Sequence, residues 1–195
     1  MNNILSICIP TRGRFATLNK NINYLSNLIK KNNLIKSVEI VISDNSIEPQ
    51  NYLIELSKKN NFLKYFHFKD FGYDININNL LDIASYQFLW LCQDHVKINE
   101  QSLIKFLDII QNNNELKYIF ASTKKNYHIV DRLVLDDCRY IGFKNTYLNT
   151  NIVRRKDFLY TYNLIIDKFN GSHLVFQHAI LYILFNLDID DKKSI

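Results

Sequence analysis

Three short polar clusters hold the residue types from which chemistry on a phosphorylated ligand could be built. They are Pro10-Thr11-Arg12-Gly13-Arg14, Ser43-Asp44-Asn45-Ser46 and Gln93-Asp94-His95. Each follows an apolar run: Leu5–Ile9 (LSICI), Val38–Ile42 (VEIVI) and Gln87–Cys92 (QFLWLC). The carboxylate of Asp94 and the imidazole of His95 could together hold a divalent cation such as Mn²⁺ or Mg²⁺. Arg14 brings positive charge for a diphosphate. Thr11 with nearby backbone groups could read a base, and Asp44 could accept hydrogen bonds from a base N–H or a ribose hydroxyl. The competing readings are structural: Asp94 as a cap for the next turn or helix, and Ser43–Ser46 as ordinary turn chemistry.

What brings such clusters together is a sheet. Apolar runs without alternation are expected where helices cover both faces of parallel strands, and ligands bind at the carboxyl ends of those strands. Between the first two runs, apolar residues at 15, 18, 22, 25, 28 and 29 predict a helix over Phe15–Ile29. Further helices are expected over Gln50–Lys59, Ile75–Tyr86, Glu100–Gln111 and Ser172–Leu187, the last with Ser172 as N-cap, and another starts over Arg154–Tyr160. Further strands are expected at Leu63–Phe68, Tyr118–Ser122, His128–Leu135 and Tyr147–Val153. The fold class is therefore α/β, a mainly parallel open sheet with helices on both faces and short additional strands in the carboxyl-terminal half.

Length and composition agree with one ordinary globular domain: 195 residues, 47% hydrophobic and 22% charged. The net charge of +5 suits phosphate-bearing ligands or an anionic surface. The basic residues are scattered in short groups rather than interleaved with aromatics, so nucleic acid is not an expected partner. Cys8, Cys92 and Cys138 make no metal-type spacing, which fits a reducing compartment. No basic residue precedes the apolar run Ile4–Pro10, so no secretory leader is expected. His173–Leu187 is short for a membrane span and contains Gln177 and His178, so it reads as a buried helix. The expected location is cytoplasmic, free or resting on the inner face of a membrane or on a partner enzyme. Neither a dinucleotide-binding glycine fingerprint nor a phosphate-binding P-loop is present, which disfavours Rossmann dehydrogenases and P-loop enzymes.

The blocks LSICIPTRGRFATL, VEIVISDNSI, FGYDININNLL and FLWLCQDHVKI, taken together, resemble the nucleotide-binding half of glycosyltransferase family 2, with its GT-A fold. The resemblance divides the chain into a nucleotide-sugar half, 1–98, and an acceptor-side half, 99–195. It implies transfer of a sugar, with inversion, from a nucleotide diphosphate sugar to a hydroxyl on a saccharide or lipid-linked acceptor, in bacterial surface polysaccharide or lipopolysaccharide synthesis. It places Pro10, Thr11 and Arg14 at the nucleotide pocket. It makes Asp44, with Asn45 beside it, the contact to base or ribose, and sets Tyr73, Asp74 and Asn76 along the nucleotide and donor sugar. The family's acidic D-x-D metal motif falls on Gln93-Asp94-His95, where only Asp94 is a carboxylate and His95 must stand as second ligand. That departure implies weaker or altered metal use, metal-independent transfer or lost activity. Family members usually run longer, so the acceptor side is expected to be minimal or truncated. There Tyr147–Phe158 and Phe169–His178 look like blocks that lead to the acceptor.

An inverting transfer needs a general base and stabilisation of the departing diphosphate. Asp94 with its metal, assisted by Arg14 or by Arg154-Arg155, is the candidate for the second task. Asp136, Asp137, Asp167 and His173 are candidates for the first, with His173 and Asp167 preferred beside Gly171. The alternative function is a catalytically impaired GT-A-like module that binds a nucleotide sugar or a partner glycosyltransferase.

Overall fold

A computed structural model of the chain describes residues 3–69, 72–113, 115–120, 128–130, 151–169, 171–172 and 175–190. The elements are β1 (Leu5–Thr11), α1 (Phe15–Lys31), β2 (Val38–Asp44), α2 (Asn51–Lys59), β3 (Leu63–His67), α3 (Tyr73–Ile83) and β4 (Phe88–Leu91). They continue with α4 (Glu100–Asn112), β5 (Tyr118–Phe120), β6 (His128–Val130), β7 (Asn151–Arg154), α5 (Arg155–Phe169) and α6 (Val175–Asp190). The strands form one seven-stranded sheet in the order β3-β2-β1-β4-β7-β5-β6. Strands β3, β2, β1 and β4 pair in parallel, and β7 pairs antiparallel with both β4 and β5. Strand β5 therefore points the same way as β1–β4, and the sheet is mostly parallel with an antiparallel flank.

Both faces of the central strands β1, β2 and β4 are buried, and side-chain alternation divides the core in two. Leu5, Ile7, Ile9, Phe88 and Trp90 face one layer with Leu18, Ile22, Leu25 and Ile29 of α1 and Leu103 and Phe106 of α4. Trp90 meets Phe106 edge-on at 5.1 Å. Cys8, Val41, Leu89 and Leu91 face the other layer with Ile77 and Leu80 of α3, Phe158 and Tyr162 of α5, and Phe176 and Ile180 of α6. This two-sided burial explains why the strand sequences are continuous apolar runs. Cys8 and Cys92 are free thiols inside it. Burial pushes both up, which removes them as nucleophiles.

Several boundaries differ from the sequence expectations for identifiable reasons. Strand β1 runs through Pro10 to Thr11, paired Pro10↔Ser43 and Thr11↔Asp44. The Cys8 carbonyl accepts from Cys92 N, so the backbone of Pro10, two residues on, faces the same side, beyond the last β4 partner, Leu91. The missing proline N–H costs no ladder bond there. Helix α3 begins at Tyr73, earlier than expected, behind Gly72 at φ +83°. The Asp74 carboxylate in its first turn complements the helix dipole. Helix α5 continues past Tyr160 to Phe169 because Phe158, Tyr162 and Ile165 extend its buried face. Helix α6 is described from Val175 onward, and the residues between it and the expected Ser172 cap lie outside the described residues. The expected strand from Tyr147 is described from Asn151 onward, and the ends of Tyr118–Ser122 and His128–Leu135 lie outside the described residues.

Candidate functional site

The three polar clusters meet at the carboxyl edge of the parallel strands. Thr11 is paired with Asp44 across β1 and β2, and the Thr11 carbonyl accepts from Asn45 N at 3.0 Å. From the other side the Thr11 hydroxyl donates to Asp94 Oδ2 at 2.8 Å.

Two buried carboxylates hold the turn after β1. Asp94 is 0% exposed, and its Oδ2 accepts from both Thr11 Oγ1 and Arg14 Nε, each at 2.8 Å. Asp44 is also 0% exposed. Its Oδ2 accepts from the Tyr65 hydroxyl at 2.6 Å, and its Oδ1 accepts from Ser46 N at 3.0 Å and from the Ser46 hydroxyl. Ser46 Oγ in turn accepts from Gly13 N at 2.8 Å. The left-handed backbone of Gly13, φ +74°, lets the turn meet both anchors. Asn21 of α1 adds a third tie by donating to the Val96 carbonyl at 2.8 Å and the Asp94 carbonyl at 3.3 Å. Burial, and its hydrogen bond to Asp44, push the Tyr65 phenol well up, so it stays a neutral donor.

Helix α3 closes the side of the site. The Asn76 amide oxygen accepts from the buried Ser43 hydroxyl, and its nitrogen donates to the Thr11 carbonyl at 3.4 Å. Tyr73 stands at the start of the helix, its phenol pushed up to about 12 by burial and by Asp74. Asp74 is buried, and its Oδ2 accepts from Gly171 N at 2.9 Å, which ties the segment after α5 to this edge. A cavity of about 250 Å³ opens here, lined by Pro10, Thr11, Arg12, Arg14, Asn45, Gly72, Tyr73, Asn76 and Gln93. Asn45 is 3% exposed; its amide nitrogen donates to the Gly72 carbonyl at 3.0 Å, while its Oδ1 accepts no hydrogen bond.

The expected site residues divide accordingly. Pro10, Thr11, Arg14, Asn45, Tyr73 and Asn76 line the cavity, whereas Asp44, Asp74 and Asp94 lie behind its wall. Asp167 is exposed near the end of α5 and does not line it. His173, Asp136 and Asp137 lie outside the described residues. Arg154 is at the wrong end for a diphosphate. Antiparallel β7 carries it to the amino edge, opposite Phe88, where its guanidinium donates to the Leu116 carbonyl. It lines a larger cavity there, about 750 Å³, with Asn3, Tyr86, Gln87 and Arg155. Arg12, Ser46 and Gln93 sit in the three clusters with no individual role legible in the sequence, and Tyr65 lies outside them, because their roles arise from contacts between strands distant in the chain.

The expected metal pair stands side by side, but one of the two carboxylate oxygens already has its partners. Asp94 Oδ2 is already taken by a hydroxyl and a guanidinium, and Asp94 Oδ1 lies 3.3 Å from His95 Nδ1. His95 borders a different groove, with Thr17, Lys20, Asn21, Tyr24 and Lys97. Among the described residues no three or more His, Cys, Asp or Glu side chains gather. One carboxylate, paired to an arginine through Oδ2 and left with a single imidazole beside Oδ1, is a poor donor set for Mg²⁺ or Mn²⁺, so the residues described do not fit the ion.

Comparison with known proteins settles the lineage. The model of the Glycosyl transferase family 2 family matches residues 6–177, most of the chain. The chain belongs to glycosyltransferase family 2. No curated protein sequence matches it. Its fold is that of GT-A glycosyltransferases. S. aureus TarS superposes with a TM-score of 0.64 at 16% identity, over 90% of this chain and 33% of that one. The TarS 1–349 fragment in complex with UDP gives a TM-score of 0.61 at 17% identity, over 90% of this chain and 54% of that one. The same fragment in complex with UDP-GlcNAc gives a TM-score of 0.59, also at 17% identity, over 90% and 53%. The family 2 chain thus spans about half of the TarS fragment. Among its described residues no helix is long and apolar enough to cross a membrane.

Proposed function

We propose that this chain binds a nucleoside diphosphate sugar in the cavity beside Thr11 and Arg14. We further propose that it transfers the sugar, with inversion, to a saccharide or lipid-linked acceptor in bacterial surface polysaccharide or lipopolysaccharide synthesis. The observation that carries this reading is the turn Thr11–Arg14, clamped by two buried carboxylates at the carboxyl edge of the sheet and presenting Arg12 and Arg14 to the cavity. Open α/β sheets place ligands at this edge, and guanidinium groups match phosphate oxygens. Asn45 Oδ1, an acceptor without a donor, suits an N–H on the base. Asp44 acts indirectly, through Ser46, in holding the turn. Asp167, near the end of α5, and His173 are the proposed general bases; Gly171, which falls between them in the sequence, donates to Asp74 at the edge of the site. The setting is cytoplasmic, at the inner face of the membrane where a lipid-linked acceptor would reside.

A second reading, a module that binds a nucleotide sugar or a partner glycosyltransferase without turnover, is favoured by the single carboxylate of Gln93-Asp94-His95. One experiment separates the two. The protein is incubated with UDP-, GDP-, CDP- and TDP-sugars and acceptor extracts, with and without Mn²⁺, while nucleotide release and thermal shift are followed. Because TarS has been solved with UDP and UDP-GlcNAc, the UDP-sugars come first. Release with stabilisation is the expected result. Stabilisation without release selects the binding module, and no response to any nucleotide refutes both.

A further inference from the structure

We propose that the Arg14 guanidinium takes the place of a divalent cation at the donor diphosphate, with Asp94 as its anchor rather than as a metal ligand. This inference rests on the nucleotide-sugar reading of the cavity and names how that site holds the diphosphate.

The geometry assigns Asp94 a partner already. Its Oδ2 lies 2.8 Å from Arg14 Nε, and the Thr11 hydroxyl occupies the same oxygen. A cation on the other oxygen, Oδ1, would have the His95 imidazole, 3.3 Å away, as its one neighbouring protein ligand, would share its carboxylate with a positive guanidinium, and would find no second carboxylate at Gln93 or His95. Arginine, in contrast, is presented for use. Its side chain is 58% exposed and borders the cavity, and it reaches Asp94 through Nε alone. The two terminal amino groups remain for a phosphate, which they can engage in the paired fashion guanidinium allows. Arg12 lines the same cavity and adds a second guanidinium.

The anchor is also rigid, which a substitute for a metal must be. Asp94 is fully buried, Asn21 holds its carbonyl and that of Val96, and Ser46 holds Gly13 between the two arginines. A lysine at position 14 would keep the charge. It would lose both the Nε contact to Asp94 and the paired geometry toward phosphate.

The test is calorimetric titration of the full chain with UDP, and with uridine, in EDTA and in Mn²⁺, for wild type, Arg14→Lys and Arg14→Ala. The expected result is an unchanged UDP dissociation constant between EDTA and Mn²⁺ for wild type. Arg14→Ala should weaken UDP by about tenfold or more, Arg14→Lys should weaken it by less, and uridine binding should hold in all three. Circular dichroism of each variant confirms folding, and Arg14 is exposed enough for its loss to be tolerated. Mn²⁺-dependent UDP binding in wild type, or equal loss of UDP and uridine in Arg14→Ala, overturns the inference while leaving a nucleotide site standing. Wild type that binds neither UDP nor any of the other nucleoside diphosphates, in either condition, overturns the inference together with the function it rests on.

Discussion

Replacing Asp94 by alanine distinguishes an anchor from a metal ligand by the sign of its effect on the metal-free protein. As an anchor, Asp94 satisfies the Thr11 hydroxyl, which belongs to a residue only 2% exposed, and pairs with Arg14. A buried hydroxyl left without its acceptor costs about 1–3 kcal/mol. The Arg14 contact adds about 0–1 kcal/mol, because a side chain 58% exposed regains water when the pair is broken. The expected destabilisation is therefore about 2 kcal/mol, which for a chain of this size lowers the melting temperature by ~4–8 °C. Asp94→Asn should lose less, since its amide oxygen still accepts from Thr11. The measurement is thermal and urea unfolding in EDTA. A carboxylate kept for a cation, and uncompensated without one, would behave in the opposite way, and its removal would raise stability. An unchanged or higher melting temperature for Asp94→Ala in EDTA would refute the anchoring argument.

Two further outcomes follow from the carboxylates of β2. Glu39 is 1% exposed, and burial raises its pKa, but Lys64, Ser6 and Ser85 outweigh burial and hold it below its ordinary value of 4.5. Its stabilisation is therefore present above pH 4.5 and is lost as pH falls through the lowered value, so Glu39→Gln should flatten that part of the acid loss in urea titrations; an identical pH slope would contradict this. Tyr65→Phe removes the 2.6 Å donor to Asp44 and should cost about 1–2 kcal/mol in urea unfolding, with weaker nucleotide binding as the Ser46–Gly13 tie loosens; a neutral effect on both would show that Asp44 does not position the turn.

Local pattern carried much of the fold. Val38–Ile42 and Gln87–Cys92 are apolar without alternation because both of their faces are covered, and that requirement acts on each residue separately. The α1 periodicity, with Leu18, Ile22, Leu25 and Ile29 all buried, is equally local. Polar clusters after such runs fall at a strand's carboxyl end wherever the strand lies, so the position of Thr11, Asp44 and Asp94 at one edge was legible. The length of α5 was less so, because Tyr162 and Ile165 read as helix only once a neighbouring layer exists to bury them.

What the amino-acid sequence determined by itself was therefore the succession of buried strands and amphipathic helices, and the residues at the mouth of the sheet. Burial and backbone preference are properties of single residues and their near neighbours. Only the tertiary structure decided which way each polar side chain is used. The insertion of β7 between β4 and β5 sends Arg154 to the far edge. The meeting of β1 with the segment after β4, distant in the chain, gives Asp94 an arginine and a threonine before any ligand arrives. A carboxylate's partners are set by what surrounds it in space, and no local pattern contains them.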